Sequence, residues 1–243
     1  MIRINLCLFL IFLVAVISSF ASAGVEGFIE IAPYAQDSKE FSCANMSADE
    51  WAVRIEKNKL VIVPAKRRNT VTLDIAGGSF IAKDGGEFEG GLSFNQGREH
   101  QTLFNENISV LFSVSNDTVV AFGGLAHLET DDGYMLIIKK QPKAFGWKVE
   151  KRVPLPANPY AVAATDPERF YFVTGEGLYS IHWPTEKIDK LKSSYVTRLY
   201  PNSLAMDQDK HIYVGMRHAV VHFIPVAGGG YDIKWLVKSR CTR

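Results

Sequence analysis

The chain has 243 residues, with 27 Lys and Arg against 26 Asp and Glu, a net charge of +1. That balance excludes the basic footprint of a nucleic-acid binder and gives no strong attraction to an anionic membrane surface. Hydrophobic residues make up 47% and aromatics 12%, enough for a sizeable core and in keeping with a strand-rich chain.

Met1-Ile-Arg-Ile-Asn carries one positive charge and leads into the apolar run Leu6 to Ile17, followed by Ser18-Ser-Phe-Ala-Ser-Ala. A basic start, a short apolar run and a small-x-small site predict a secretory signal peptide over residues 1–23. The apolar run is shorter than the ~20 residues that span a bilayer, so no stable membrane insertion is expected after cleavage. Residues 24–243 then form one domain, and losing Arg3 brings their charges into balance. Cys7 leaves with the signal. Cys43 and Cys241 remain near the two ends of the mature chain, and a periplasmic or secreted location predicts a disulfide between them.

Phe28-Ile-Glu-Ile is a short strand stopped by Pro33, and Asp37 to Glu50 reads as a loop or a single helical turn. Trp51 to Glu56, the turn Lys57-Asn58 and Lys59 to Val63 form a hairpin closed by Pro64, with Lys66-Arg67-Arg68 on the following turn. Thr70 to Ile75 resumes as a third strand of that unit. Three glycine pairs then break the pattern between Gly77 and Asn107, where Phe80-Ile81 and Leu92-Ser-Phe94 are candidate short strands of a fifth blade within what is otherwise expected to be a mobile loop. Ile108 to Val114, the turn Ser115-Asn-Asp117 and Thr118 to Gly123 start a second unit. A longer loop holds His127 and Asp131-Asp132-Gly133, and strands follow at Tyr134 and Trp147. The stretch Asn158–Pro225 then states one pattern twice. Ala161-Val-Ala-Ala-Thr-Asp, Phe170-Tyr-Phe-Val-Thr-Gly and Gly177-Leu-Tyr-Ser-Ile-His are answered by Ser203-Leu-Ala-Met-Asp, His211-Ile-Tyr-Val-Gly and Ala219-Val-Val-His-Phe-Ile.

Laid over one another, the four units place Val53, Phe112, Val162 and Leu204 at one position of a first strand, 59, 50 and 42 residues apart. Repeats of about 40–50 residues are the period of a four-stranded propeller blade. The segment Ser203-Leu-Ala-Met-Asp-Gln-Asp-Lys-His-Ile-Tyr-Val-Gly resembles the blade motif of sensor-type and gluconolactonase-like propellers. The resemblance implies an all-β fold, a β-propeller of four or five four-stranded blades, with a ligand site over the central channel. A β-sandwich of short antiparallel strands is the alternative.

Four residues are candidates for ligand binding. Asn107, Asn158 and Asn202 sit on loops leading into first strands, where a propeller would hold its ligand. Arg54 stands where the other units place Ser113, Ala163 and Ala205, and its guanidinium would suit an anionic group in the channel. Asn is also a common turn former, and Glu56 is a ready partner for Arg54. His218 and His222 are four apart on one strand, ~13 Å along the backbone, too far to share a metal. Late third-strand positions give His182 and His222 a structural reading. Asp166, Asp207 and Asp209 fall in turns, where carboxylates accept backbone hydrogen bonds. Asn45, Asn107 and Asn116 open Asn-x-Ser/Thr sequons, acceptors only in a eukaryotic secretory pathway. No nucleophile elbow, phosphate loop or zinc-protease motif is present, and no metal or cofactor is expected.

The expectation is an exported, non-catalytic propeller that binds a protein or small ligand at its channel face. A propeller hydrolase or lyase acting on a sugar, lactone or peptide is the alternative, because such sites assemble from several blades without a linear motif. An envelope-assembly scaffold is the third reading.

Overall fold

The computed structural model describes residues 25–66, 68–142 and 146–241, and the expected signal peptide lies outside them. All sheets are antiparallel. The first is a hairpin, β2 (Trp51–Glu56) and β3 (Lys59–Pro64), preceded by β1 (Ile29–Ile31) and the short helix α1 (Lys39–Asn45). The second holds β4 (Thr70–Ile75), β5 (Gly78–Asp84), β6 (Gly90–Gln96) and β7 (Glu99–Phe104). The third holds β8 (Val110–Ser115), β9 (Thr118–His127), β10 (Thr130–Lys140) and β11 (Trp147–Leu155). The fourth comprises β12 (Ala161–Asp166), β13 (Arg169–Thr174), β14 (Gly177–His182) and β15 (Lys187–Ser193). The fifth comprises β16 (Ser203–Met206), β17 (Ile212–Gly215), β18 (Ala219–Pro225) and β19 (Tyr231–Val237), with β1 added outside β19.

The first strands neighbour one another in the order β2, β16, β12, β8, β4, so the sheets stand as blades around a channel. The fold is an all-β propeller, and the paired-sheet sandwich is not formed. Strand periodicity explains the stacking. Alternate residues of one strand point to opposite faces, and each inner blade is apolar on both. Along β9, Val119 and Ala121 join the core shared with the second sheet, while Val120 and Phe122 join the core shared with the fourth. Phe170 and Phe172 of β13 meet Phe122, and Val173 turns to the fifth sheet. These rings are fully buried, and truncating one to Ala costs about 3–5 kcal/mol.

Three expectations need correction. The glycine-rich segment from Gly77 to Asn107 is a regular four-stranded blade, and Thr70–Ile75 is its first strand, not the third strand of the preceding unit. Glycine there reports close packing instead of looseness, because a Cβ on Gly90 would sit 2.3 Å from the Asn107 backbone nitrogen. The loop expected around Asp131 to Gly133 is also strand, since β9 and β10 run on to a tight turn at Leu128-Glu129.

The hairpin is the exception among the blades. Lys57 and Asn58 both adopt positive φ, the twist that a two-residue hairpin turn requires. One of its faces, with Trp51, Val53, Ile55, Leu60 and Ile62, packs on Ala205, Tyr213, Val220 and Leu236 of the fifth sheet. Its other face carries exposed Arg54, Glu56 and Lys59 beside half-buried Ala52, Val61 and Val63, and one face of β4 in the second sheet carries exposed Thr70, Thr72 and Asp74. Among the described residues, no apolar cluster joins these two blades.

The chain's beginning is fastened to its end. β1 pairs with β19, Cys43 of α1 is bonded to Cys241, and the Cys241 amide donates to the Tyr34 hydroxyl at 2.9 Å. Ser38 caps α1 by accepting from the Phe41 amide at 3.0 Å. Among the described residues, no helix is long and apolar enough to cross a membrane.

Candidate functional site

The loops that enter the first strands converge on a cavity of about 460 Å³ at one end of the channel. Glu50 and Ala52 line it from the hairpin, Asp84 and Val71 from the second sheet, and Ser109 and Val110 from the third. Asn158, Pro159 and Tyr160 enter ahead of β12, and Tyr200, Pro201 and Asn202 ahead of β16. Lys66, Arg68 and Asn69 come from the link between the hairpin and the second sheet. A site fed by every blade needs no linear motif, because its residues come from the same end of five first strands far apart in sequence.

Local bonds fix these loops. The Asn158 amide donates to the Asp131 carboxylate at 2.8 Å, tying the entry of β12 to the edge of β10. The Ser203 hydroxyl accepts from the Val53 amide at 2.9 Å, joining β2 to β16, and donates to the Asn202 side-chain Oδ1 at 2.9 Å. Asn202 donates its amide to Gly215 at 2.9 Å. Burial, then the Asp131 carboxylate and Tyr200, raise the Tyr160 pKa, so its phenol stays a hydrogen-bond donor at neutral pH. Among the described residues, Lys66 and Arg68 have no carboxylate within ion-pair distance.

The expected site residues separate into two groups. Asn158 and Asn202 line the cavity. Asn107 does not; it is buried, accepts from the Gly85 amide at 3.1 Å and donates to the Gly86 carbonyl at 2.7 Å. It borders a separate hollow of about 270 Å³, shared with Glu106, Tyr134 and Arg152. Arg54 lies outside the cavity on the exposed face of β2, where it pairs with Glu56 at 2.5 Å. It shares a strand face with Ala52 but lies two residues further from the mouth, ~7 Å along β2, so the cavity lining ends before it.

Tyr160, Tyr200, Lys66, Arg68 and Asn69 were not singled out in the sequence as ligand residues. A signal for two of them was present. The triplets Asn158-Pro-Tyr160 and Tyr200-Pro-Asn202 stand at equivalent entries of consecutive blades, with the same residue types in reverse order.

Histidine chemistry lies elsewhere. His211 Nδ1 and His222 Nε2 share a 2.7 Å hydrogen bond beneath the Tyr213 ring, and His182 contacts Thr185 and Glu168. Asp166 accepts from the Glu168 amide, and Asp207 from the amides of Asp209 and His211. Among the described residues, no group of three or more His, Cys, Asp or Glu side chains is arranged to hold a metal ion.

No protein-family model matches the sequence. No curated protein matches it either. Solved structures do match. The extracellular domain of a protein described as a hybrid two-component system from B. thetaiotaomicron is 16% identical over 76% of this chain, with a TM-score of 0.45. This chain covers 23% of that one. A luciferin-regenerating enzyme is 8% identical, with 80% of this chain and 78% of that chain covered and a TM-score of 0.45. Virginiamycin B lyase from Staphylococcus aureus is 7% identical, with 85% and 73% covered and a TM-score of 0.43. Nothing about ligand or reaction passes to this chain at such identities.

Proposed function

We propose that this chain is an exported binding propeller that captures a small polar ligand at its channel mouth, without making or breaking a bond. The observation that carries the reading is the cavity itself. It is concave, fed by all five blades and lined by amides, phenols, the carboxylates Glu50 and Asp84, and two cations that form no ion pair among the described residues. Its volume of about 460 Å³ falls in the range of ligand pockets, ~300–1,000 Å³. Export is supported by the leader pattern of residues 1–23 and by the Cys43–Cys241 bond, which persists in an oxidising compartment.

The test is a thermal-shift screen of the purified mature chain against small anionic, neutral and cationic compounds, followed by calorimetry. A saturable ligand is expected, and Asn69→Trp, which fills the mouth from an exposed loop position, abolishes its binding at unchanged stability. A ligand that binds the Asn69→Trp chain equally well places the site elsewhere. Turnover of that ligand would replace capture with catalysis.

A further inference from the structure

Tyr200 is held in a conformation that its side chain disfavours. Its φ is +54°, and it precedes Pro201. A bulky residue rarely enters the left-handed region, and a following proline disfavours helical backbone angles further. Its neighbours impose the geometry. Leu199 accepts from the Arg217 amide at 2.8 Å, Asn202 donates to Gly215 at 2.9 Å, and Pro201 is buried between them. Glycine or asparagine would suit that backbone better, yet the position carries an aromatic ring that stays 49% exposed.

The ring is also backed. The Arg217 guanidinium lies 4.3 Å from its centroid and is itself held by the Asn45 carbonyl at 2.6 Å and by Glu50 at 3.5 Å. One face is therefore occupied by a fixed cation, which leaves the other for a ligand. Tyr200, Tyr160 and Pro201 line both the channel-mouth cavity and a second cavity of about 330 Å³. The two hollows meet at the tyrosines, which suits an elongated ligand with a ring at the junction.

From this geometry we infer that the site takes an anionic oligosaccharide, one containing uronic acid units, with Tyr200 as the platform on which a sugar ring stacks. The inference rests on the binding reading given above. A pyranose offers a C–H face to an aromatic ring, and its hydroxyls donate and accept together, as do the amides of Asn69, Asn158 and Asn202. Lys66 and Arg68 supply the counter-charge for a carboxylate. Glu50 and Asp84 line the same cavity, so a densely charged phosphate chain fits less well than isolated carboxylates.

Calorimetry on the mature chain with tetragalacturonate, tetramannuronate, cellotetraose and AMP tests the inference. At least one acidic tetramer is expected to bind at least ten-fold more tightly than cellotetraose and AMP. Tyr200→Gly should weaken it ten-fold or more while the melting temperature holds or rises, since glycine accepts the backbone angle. The double variant Lys66→Ala/Arg68→Ala should reduce affinity for the acidic tetramer and leave cellotetraose unaffected. Preference for AMP, or no binding of either acidic tetramer, overturns the ligand class. So does a Tyr200→Gly chain that melts lower and binds as before, because the ring is then structural. A different compound that binds at the mouth, blocked by Asn69→Trp, removes this class but keeps the binding reading. The absence of any saturable ligand removes both.

Discussion

His222 shows how one buried side chain makes stability depend on pH. Burial first, and neighbouring His211 second, hold its pKa below the ordinary 6.5, against the opposing pull of Glu30 at 3.7 Å. The unfolded chain therefore takes up a proton near pH 6.5 that the folded chain resists. The stability this contributes is complete above that pH and is lost as pH falls toward the folded pKa. Burial lowers the pKa of His218 as well, which adds a change of the same sign. The urea midpoint should fall between pH 7.5 and 5.5, and His222→Gln should flatten that slope. An equal slope in the variant would assign the dependence to other groups. Tyr200 belongs to the same scale, since the strain of its backbone, of order 1–3 kcal/mol, is carried by surrounding packing.

Among the elements, the second sheet is the one that its sequence conceals. Its strands alternate weakly, and Gly77-Gly78, Gly85-Gly86 and Gly90-Gly91 read as breaks. What orders it is contact with the third sheet, through Phe80, Phe94 and Trp147, and the clamp that Asn107 places on the loop between β5 and β6. Asn107→Ala leaves the Gly85 amide and Gly86 carbonyl without those partners. A loss of about 1–3 kcal/mol is expected, read from the denaturant midpoint. Faster amide exchange at residues 85–89 should accompany it. An unchanged midpoint would mean that water or the remaining loop replaces both bonds.

At the scale of the molecule, the blades are joined by apolar cores except between the hairpin and the second sheet. That junction, which no apolar cluster spans among the described residues, should open before the others. Native-state hydrogen exchange is expected to show β3 and β4 amides opening at lower free energy than those of β9 or β13. Equal protection would show that the junction is held by contacts other than apolar burial. The Cys43–Cys241 bond spans 198 residues. Loop entropy gives it about 5 kcal/mol, an upper bound, by restricting the unfolded chain. Reduction, or Cys43→Ser with Cys241→Ser, should lower the melting temperature without changing the strand content seen by circular dichroism.

Alternation and repetition are local properties, so the propeller class, the tandem blades at β12–β15 and β16–β19 and the turn carboxylates could all be read along the chain. The Cys43–Cys241 pair was also legible, because only two cysteines follow the leader pattern. Blade boundaries were less so. The 59-residue interval between Val53 and Phe112 hides a two-stranded blade and a full one, and local periodicity cannot tell a third strand from the first strand of the next sheet. The candidate site was legible in half of its named residues. Asn158 and Asn202 reach the cavity because their loops enter first strands at its rim. Arg54 had the right charge, but it sits two residues beyond the lining position of its strand, where it pairs with Glu56. Tyr160, Tyr200, Lys66 and Arg68 come together only when the ring brings distant entry loops to one end of the channel. Sequence separation says nothing about that convergence.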